Sequence, residues 1–174
     1  DLTYGKSYSD TSEFVWEWKG WGKSPVNPRE QQDAIEFLQF FLDQIPESIN
    51  QHFKGSWTNI ISNEKENVET RNSESFYSIQ VDVNKSVQDS LKTVEQFNDY
   101  SIGDKKITVT KTTVAEKLPN ILVIQIKRFC YNLTTFERIK VNNKYIFSRE
   151  MNLSDIEGKE HHYKLSGIVA HSGT

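Results

Sequence analysis

The sequence predicts an α+β domain, because one amphipathic helix near the amino terminus precedes a long region with strand patterns. Apolar residues recur at helical spacing between Asn27 and Pro46. From Gly55 onward, SFYSIQVDV and KKITVTKTTVAEK alternate apolar with polar residues, as half-buried strands do. ILVIQIKRF is an almost unbroken apolar run, which is typical of a strand buried on both faces. A chain of 174 residues is long enough to build one core from these elements.

Composition indicates a globular protein and narrows the class of partner. Hydrophobic residues make up 36% of the chain and charged residues 26%, which argues against global disorder. The formal net charge is only -3, whereas binding to nucleic acid or an anionic membrane needs concentrated lysine and arginine. We therefore expect neither of those partners. A partner with exposed arginines would suit the acidic face of the helix better.

Targeting signals and reactive side chains are sparse. The longest apolar run, Ile121 to Ile126, is too short to span a bilayer, and the polar first residues do not resemble a secretory signal. The missing initial methionine suggests a piece of a longer protein. The single Cys130 permits no internal disulfide, so we expect an intracellular protein, cytoplasmic or nuclear. Four histidines and no CxxC pair predict no metal site and no cofactor, and we expect His161 and His162 to be solvent-exposed.

The first 23 residues are aromatic and irregular. Phe14, Trp16, Trp18 and Trp21 are spaced for a short helix or a packed loop. We expect the indoles to cover an edge of the core, with contact to a partner as the alternative.

The amphipathic helix is the best-defined element. Asn27 is a good helix cap, Pro28 suits the first helical position, and Glu30 can bond back to the cap. Pro46 is expected to end the helix, and ESINQHFKG to add helical turns before Gly55. The apolar stripe consists of Ala34, Ile35, Leu38, Phe41, Leu42 and Ile45.

The remaining segments are predicted mainly as strands. Between residues 55 and 118 we expect an extended antiparallel sheet, interrupted by a short helix within Ser86 to Tyr100. KKITVTKTTVAEK is interpreted as a strand pair. In RIKVNNKYIFS, Asn142 and Asn143 are placed as a turn between two strands. MNLSDIEGKEHHY is predicted as a loop, and YKLSGIVAHSGT as a last strand.

Three blocks in a fixed order resemble the ubiquitin-specific protease family. They are the QQDAIEFL helix, the strand block LPNILVIQIKRFCYN with RIKVNNKYIFS, and the block YKLSGIVAHSG. The resemblance covers roughly Trp21 to Thr174. It implies a papain-like cysteine peptidase shaped as thumb, fingers and palm. The thumb would be residues 1–54, the fingers 55–118 and the palm 119–174.

Members of this family hydrolyse the bond after the C-terminal glycine of ubiquitin. The resemblance implies a cysteine nucleophile, a histidine base, and an Asp or Asn that orients the histidine. This chain has no Cys ahead of the QQDAIEFL helix, and Cys130 stands at a position that varies in the family. His171 matches the histidine of H-x-G, which is not the base. We therefore expect no catalytic residue in this chain, the nucleophile helix and the base being outside it.

A second departure concerns zinc. Many family members join their fingertips through two CxxC pairs that hold a zinc ion. The corresponding positions lie near Asn63 and Glu66 and within Ser101–Asp104, and they contain no thiolate. The expectation is that strand pairing and packing alone hold the fingers.

The resemblance leaves a set of residues that would grip the extended tail of ubiquitin, which carries arginines. Asp33 and Glu36 would bind it, since charge-assisted bonds between carboxylate and guanidinium are strong and directional. Gln31, near the apolar stripe, would bond the tail backbone or brace the wall of the active site. Phe129 would line the channel or pack in the core. His171 would face the tail or make a structural hydrogen bond.

The leading hypothesis is therefore a portion of a deubiquitinating cysteine peptidase that is inactive by itself. Its partners would be ubiquitin and ubiquitinated proteins, and exposed core would favour self-association. The alternative is a non-catalytic, ubiquitin-binding scaffold of the same fold. A third hypothesis, an unrelated α+β interaction domain, requires the three blocks to coincide by chance.

Overall fold

The computed structural model describes residues 10–19, 26–27, 29–132 and 134–171, and of Arg138 it describes the backbone alone. The helices within these ranges are α1 (Ser12–Glu17), α2 (Ala34–Gln44), α3 (Glu47–Asn50) and α4 (Val87–Ser90). The first five strands are β1 (Gly55–Asn63), β2 (Val68–Phe76), β3 (Ile79–Asp82), β4 (Lys92–Ile102) and β5 (Lys105–Lys117). The other five are β6 (Ile124–Lys127), β7 (Phe129–Asn132), β8 (Glu137–Lys140), β9 (Glu150–Ser154) and β10 (Glu160–Lys164). No helix in the described part of the chain is long and apolar enough to cross a membrane.

The chain divides into two compact units. The first ends at Leu38 and the second begins at Gln39, so the boundary falls within α2. The first unit contains α1 and the start of α2, and the second contains every described strand. The predicted division into thumb, fingers and palm at residues 54 and 118 stays a prediction.

The aromatic segment forms the short helix α1, which was one of the two predicted alternatives. Trp18 packs against Phe14 and Phe37, with ring centroids 5.7 and 5.1 Å apart. Trp16, by contrast, is 74% exposed. Trp18, which is half-buried, therefore covers apolar side chains as expected of the indoles, whereas Trp16 does not, and Trp21 lies outside the described residues.

The amphipathic helix starts later than predicted, because a different side chain caps it. Asp33 Oδ1 accepts hydrogen bonds from the backbone N–H groups of Ile35 and Glu36, at 2.8 and 3.1 Å. Asn27 forms a separate turn, in which its Oδ1 accepts from the Arg29 N–H at 3.1 Å. Both residue types cap helices well, but a carboxylate also interacts favourably with the positive end of the helix dipole. The helix therefore begins at Ala34, and Pro28 lies outside the described residues.

The end of the helix agrees with the prediction. α2 stops at Gln44, just before Pro46, and Pro46 then caps the four-residue helix α3. Asn50 of α3 donates its amide to the carbonyl of Leu42, at 3.2 Å. Helical turns do continue toward Gly55, as expected, although α3 itself is short.

A four-stranded antiparallel sheet occupies residues 55–117, in the order β2-β1-β5-β4. Its central pair, β1 and β5, aligns Thr58 with Val114 and Ser62 with Thr110. The prediction of an antiparallel sheet is confirmed here. KKITVTKTTVAEK, however, forms the single 13-residue strand β5 and not a strand pair.

The helix predicted within Ser86 to Tyr100 is mostly a strand. Only α4 is helical there, and Ser86 caps it by accepting the Asp89 N–H at 3.1 Å. The following residues pair with β5, where Val94 lies opposite Thr112 and Phe97 opposite Val109. A long threonine-rich partner strand overrides the weak helical pattern, since strand formation depends on the neighbouring strand more than on the local sequence.

The separate two-stranded sheet of β3 and β6 also differs from the prediction. SFYSIQVDV is broken at Tyr77 and Ser78, so that β2 ends before the break and β3 begins after it. ILVIQIKRF contains the four-residue strand β6, whose residues Ile124 and Ile126 are half-buried, and ends at Phe129, where β7 begins. β3 and β6 pair in parallel, with Ile79 opposite Ile124.

The last part of the chain forms two hairpins. β7 pairs with β8 and β9 with β10, both antiparallel. The predicted loop MNLSDIEGKEHHY is therefore wrong, since most of it lies in the β9–β10 hairpin. The predicted second strand of RIKVNNKYIFS and the last strand after Lys164 are also wrong, because residues 141–148 and 165–171 have no regular structure.

The core lies where β3, β5, β9 and α4 meet. Its most buried members include Ile79 at 1% exposure, Val81 at 0% and Leu153 at 2%. Gly55 is required beside it, because a Cβ there would stand 2.3 Å from the ring of Phe76 and 2.7 Å from the carbonyl oxygen of Lys117. Only a residue without a side chain permits β1, β2 and β5 to meet this closely.

Candidate functional site

The acidic residues of the predicted tail-binding set lie at the start of α2. Asp33 and Glu36 are both exposed, and the Asp33 carboxylate receives the Glu36 N–H. Both capping bonds use Oδ1 of Asp33. The free helix N–H groups and the helix dipole stabilise negative charge at this position. The result is a small carboxylate surface, held in place by the helix, that can bind a guanidinium or ammonium group.

Gln31 lies outside the helix. It is exposed and precedes the capping residue Asp33, so its side chain does not continue the apolar stripe of α2. Both predicted roles of Gln31, bracing the wall of the site and bonding the backbone of a tail, stay predictions.

Phe129 and His171 are brought together by the fold. Their rings meet edge to face, with centroids 5.5 Å apart. Phe129 is 42% exposed at the start of β7, so it does not lie in the core. An exposed pair of an aromatic ring and an imidazole offers both an apolar surface and a hydrogen-bonding edge to a bound chain. The sequence identified each residue singly and gave no sign of their contact.

Cys130 stands next to Phe129 in β7 and is exposed. It lies opposite Ile139 of β8. Within the described part of the chain it takes part in no hydrogen bond and no ion pair. A catalytic thiol needs a base or a positive charge that stabilises the thiolate, and no bond among the described residues links Cys130 to either.

His161 corrects one sequence expectation. Its side chain is only 20% exposed, and its Nε2 lies 2.8 Å from Oδ2 of Asp155, a carboxylate that is 7% exposed. The same carboxylate accepts N–H groups from Glu157 and Lys159, both at 3.0 Å. The hydrogen bond with His161, followed by these backbone bonds, keeps the pKa of Asp155 below its ordinary value. This pair closes the β9–β10 turn, while His162 is exposed as expected.

A polar cavity of 350 Å³ lies in the second unit and was not anticipated. Its lining comes from α2, α4 and several strands, and of the described residues that line it none carries a charge. The lining residues are Gln39, Trp57, Ser78, Gln80, Ser90, Thr93 and Thr113. Hydroxyls, carboxamides and one indole suit an uncharged hydrogen-bonding group, such as a peptide backbone. No sequence motif joins residues from so many elements.

One exposed face of the sheet carries a second unanticipated cluster, centred on Glu116. Its Oε2 accepts hydroxyl hydrogen bonds from Thr58 at 2.8 Å, Ser73 at 3.0 Å and Ser56 at 3.4 Å. The bonds from Thr58 and Ser73 hold the pKa of Glu116 below its usual value. The carboxylate therefore stays ionised while it joins β1, β2 and β5.

Comparison with known proteins gives the family. The sequence profile described as "Ubiquitin carboxyl-terminal hydrolase" matches residues 5–174, which is nearly the whole chain.

Similar curated proteins carry the same name. The chain is 29% identical to human ubiquitin carboxyl-terminal hydrolase 9Y and 31% identical to its mouse counterpart, over 88% and 80% of this chain. It is 29% identical to the probable ubiquitin carboxyl-terminal hydrolase FAF of Drosophila melanogaster, over 86% of this chain. The matches span only 8%, 6% and 7% of those proteins, so the chain corresponds to a small part of each.

Solved structures of similar fold give the same result. One is the SAGA DUB module Ubp8/Sgf11/Sus1/Sgf73 bound to ubiquitin aldehyde, with a TM-score of 0.66, 27% identity and coverage of 83% of this chain and 39% of that chain. Another is the same module bound to monoubiquitin, with a TM-score of 0.64, 25% identity and coverage of 83% and 38%. The predicted α+β class, as part of the papain-like fold of these proteases, is confirmed. This chain belongs to the ubiquitin carboxyl-terminal hydrolase family.

Proposed function

We propose that this chain is part of a deubiquitinating cysteine peptidase that hydrolyses the bond after the C-terminal glycine of ubiquitin. The single observation that carries the proposal is the family match across residues 5–174. The similar fold of a module bound to ubiquitin aldehyde supports it.

In this proposal Asp33 and Glu36 hold the cationic tail of ubiquitin. Two exposed carboxylates at the start of one helix are adjacent and anchored, because the backbone of Glu36 donates to Asp33. Bonds between carboxylate and guanidinium are directional as well as strong, so they set the register of an extended tail and not only its affinity. Phe129 and His171 would contact the same tail.

The chain alone is expected to have no peptidase activity. Its only thiol, Cys130, has no described base or cation beside it. The measurement is hydrolysis of a ubiquitin C-terminal fluorogenic substrate by the 174-residue chain, which should not exceed the blank. Activity that disappears in Cys130→Ala would identify this thiol as the nucleophile and contradict the proposal.

The surroundings of Cys130 also favour a second candidate, a non-catalytic scaffold that binds ubiquitin. A longer chain that carries the family's Cys box ahead of α2 and its His box after His171 distinguishes the two. Turnover by that chain supports the peptidase. Ubiquitin binding without turnover supports the scaffold.

The role of the helix start requires a substitution that preserves the cap. Asp33→Asn removes the charge and keeps a side-chain oxygen that still caps the helix. With Glu36→Gln beside it, we expect the affinity for ubiquitin to fall roughly ten-fold, as two charge-assisted bonds become neutral. The affinity is measured by titrating ubiquitin into the longer chain described above, with and without the two substitutions, in a calorimeter.

Two controls separate binding from folding. Asp33→Ala removes both charge and cap, and should in addition lower the free energy of unfolding by about 1 kcal/mol. Asp104→Asn removes an exposed charge from the β4–β5 turn, which is not part of the predicted tail-binding set, and should leave the affinity unchanged. Equal affinities for the double variant and the unmodified chain would show that the helix start does not bind the tail.

A further inference from the structure

The two hairpins of the four-stranded sheet have their turns at the same end. The β1–β2 turn includes Asn67, which adopts a left-handed φ of 51°, and the β4–β5 turn includes Gly103 with a φ of 57°. Because β1 and β5 are antiparallel neighbours, with Ser62 opposite Thr110, the end of β1 lies beside the start of β5. A side-chain contact between the end of β1 or its turn and the start of β5 therefore joins one hairpin to the other.

Two such contacts are found among the described residues. The ammonium nitrogen of Lys105 lies 2.6 Å from Oε1 of Glu66, which joins the second hairpin to the turn of the first. Asn63 donates its amide to the carbonyl of Thr108 at 2.6 Å, and its Oδ1 accepts the Glu66 N–H at 2.9 Å. The side chain of Asn63 thus orders its own turn with one end and holds the neighbouring hairpin with the other. These two side-chain contacts add to the strand pairing and packing that were expected to hold this region.

The groups at this end of the sheet do not suit a metal ion. Structural zinc sites use four thiolate or imidazole ligands. Here the acidic oxygen of Glu66 is taken by an ammonium group, and Asn63 Oδ1 by a backbone N–H. The only cysteine is Cys130, in β7. Among the described residues no group of three or more His, Cys, Asp or Glu is placed to hold a metal.

We propose that Lys105 is the cation that links the two hairpin tips, in place of the zinc ion that related proteases use. A single positive charge on one hairpin binds a carboxylate on the other, with the Asn63 contact beside it. The side chains of Lys105 and Glu66 are 62% and 36% exposed, so salt screens this link. The tips are therefore expected to loosen at high ionic strength and to be insensitive to chelators.

The test is hydrogen exchange of the backbone amides in the outer β1–β5 ladder, around Ile61 and Thr110. In Lys105→Met, these amides should exchange about two- to five-fold faster at low salt, the range expected for an exposed ion pair. Glu66→Gln should give the same increase. The charge swap, with Lys105→Glu and Glu66→Lys together, should restore most of the protection. At about 1 M salt the variants and the unmodified chain should converge.

A matched control lies at the adjacent residue. Lys106 pairs with Asp99 at 3.4 Å, but both belong to the β4–β5 hairpin, so Lys106→Met removes an equally exposed charge without unlinking the tips. Equal acceleration in Lys105→Met and Lys106→Met would overturn the proposal. So would about one zinc per chain in the metal analysis of the purified protein, or faster exchange at the tips on adding a chelator.

Discussion

Asp33 serves the local fold and the proposed site through the same carboxylate. The residue order around it was sufficient to predict an exposed acidic helix face, because exposed carboxylates on a helix depend only on local pattern. The role of this face in tail binding comes from the family resemblance and stays a prediction. The capping role of Asp33 was missed, since Asn27 and Asp33 both carry capping side chains and only the three-dimensional course of the chain decides between them. Charge was predictable at this position, and geometry was not.

The contacts of Phe129 and of Asp155 show the same limit. Phe129 meets His171 from a different segment, and Asp155 meets His161 across a turn. Phe129 and His171 were singled out from their own blocks and Asp155 was not, and no periodicity encodes which side chains meet across unconnected segments. Sequence reasoning therefore proposed members of the site, and the fold was needed to show their pairings.

A single residue also limits how the sheet joins the core. Replacing Gly55 by alanine would place a methyl group against the Phe76 ring and the Lys117 carbonyl oxygen, and the backbone oxygen cannot rotate away. We expect Gly55→Ala to lower the free energy of unfolding by about 1–3 kcal/mol. Denaturant unfolding followed by tryptophan fluorescence measures the change.

Gly167→Ala is the matched control, because nothing lies within 4 Å of the added methyl group. Its effect should stay within about 0.5 kcal/mol. Similar losses in both variants would mean that the close approach at Gly55 is not the cause.

Among the elements, the β9–β10 hairpin shows why strands are harder to predict than helices. MNLSDIEGKEHHY is polar and lacks clear alternation, so it resembles a loop. The strands form because Met151 lies opposite Tyr163 and Leu153 opposite His161, while Asp155 and its partners close the turn. β4 was missed for the same reason: it forms because it pairs with β5, and a local sequence pattern does not show which strand will be its partner. The end of α2 before Pro46, by contrast, depends on local chemistry, and it was predicted correctly.

The turn of this hairpin should weaken in acid. Because the folded state holds the pKa of Asp155 below the ordinary value of 3.8, its carboxylate stabilises the fold above that value. This contribution is lost as the pH falls from 3.8 through the lower folded pKa. The difference in melting temperature between the unmodified chain and Asp155→Asn should therefore be largest above about pH 5 and shrink below about pH 4.

Scanning calorimetry from pH 2.5 to pH 7 gives this profile. Glu157→Gln changes an exposed carboxylate in the same turn, where only the backbone N–H of residue 157 bonds Asp155. That variant should follow the unmodified chain at every pH. A difference between Asp155→Asn and the unmodified chain that stays constant in acid would exclude Asp155 as the titrating group.

Across the part of the molecule that the structure describes, several large apolar side chains lie outside the core. The core is shared by β3, β5, β9 and α4, while the segments after β8 and β10 expose large apolar side chains. Examples are Ile146 at 80% exposure, Phe147 at 53%, Ile168 at 63% and Val169 at 86%. Contiguous exposed apolar surface favours association.

We expect the isolated chain to self-associate as its concentration rises. Light scattering in reducing buffer should give a mass above 20.3 kDa that increases with concentration. Ile146→Lys with Val169→Lys should shift the mass toward the monomer, whereas lysine at the already polar Gln96 should not. A mass of 20.3 kDa at every concentration would show that these side chains do not drive association.

The parallel pairing of β3 with β6 has a consequence for the order in which the strands pair during folding. Gln80 and Gln125, which bond each other across this pair at 3.0 Å, are 45 positions apart in the chain. The two long hairpins need only nearby residues to meet, whereas this pair must first close a loop that contains β4 and β5. We therefore expect the two hairpins to form early and independently. We expect β6 to pair with β3 only after the intervening β4–β5 hairpin has formed and brought the two strands closer together.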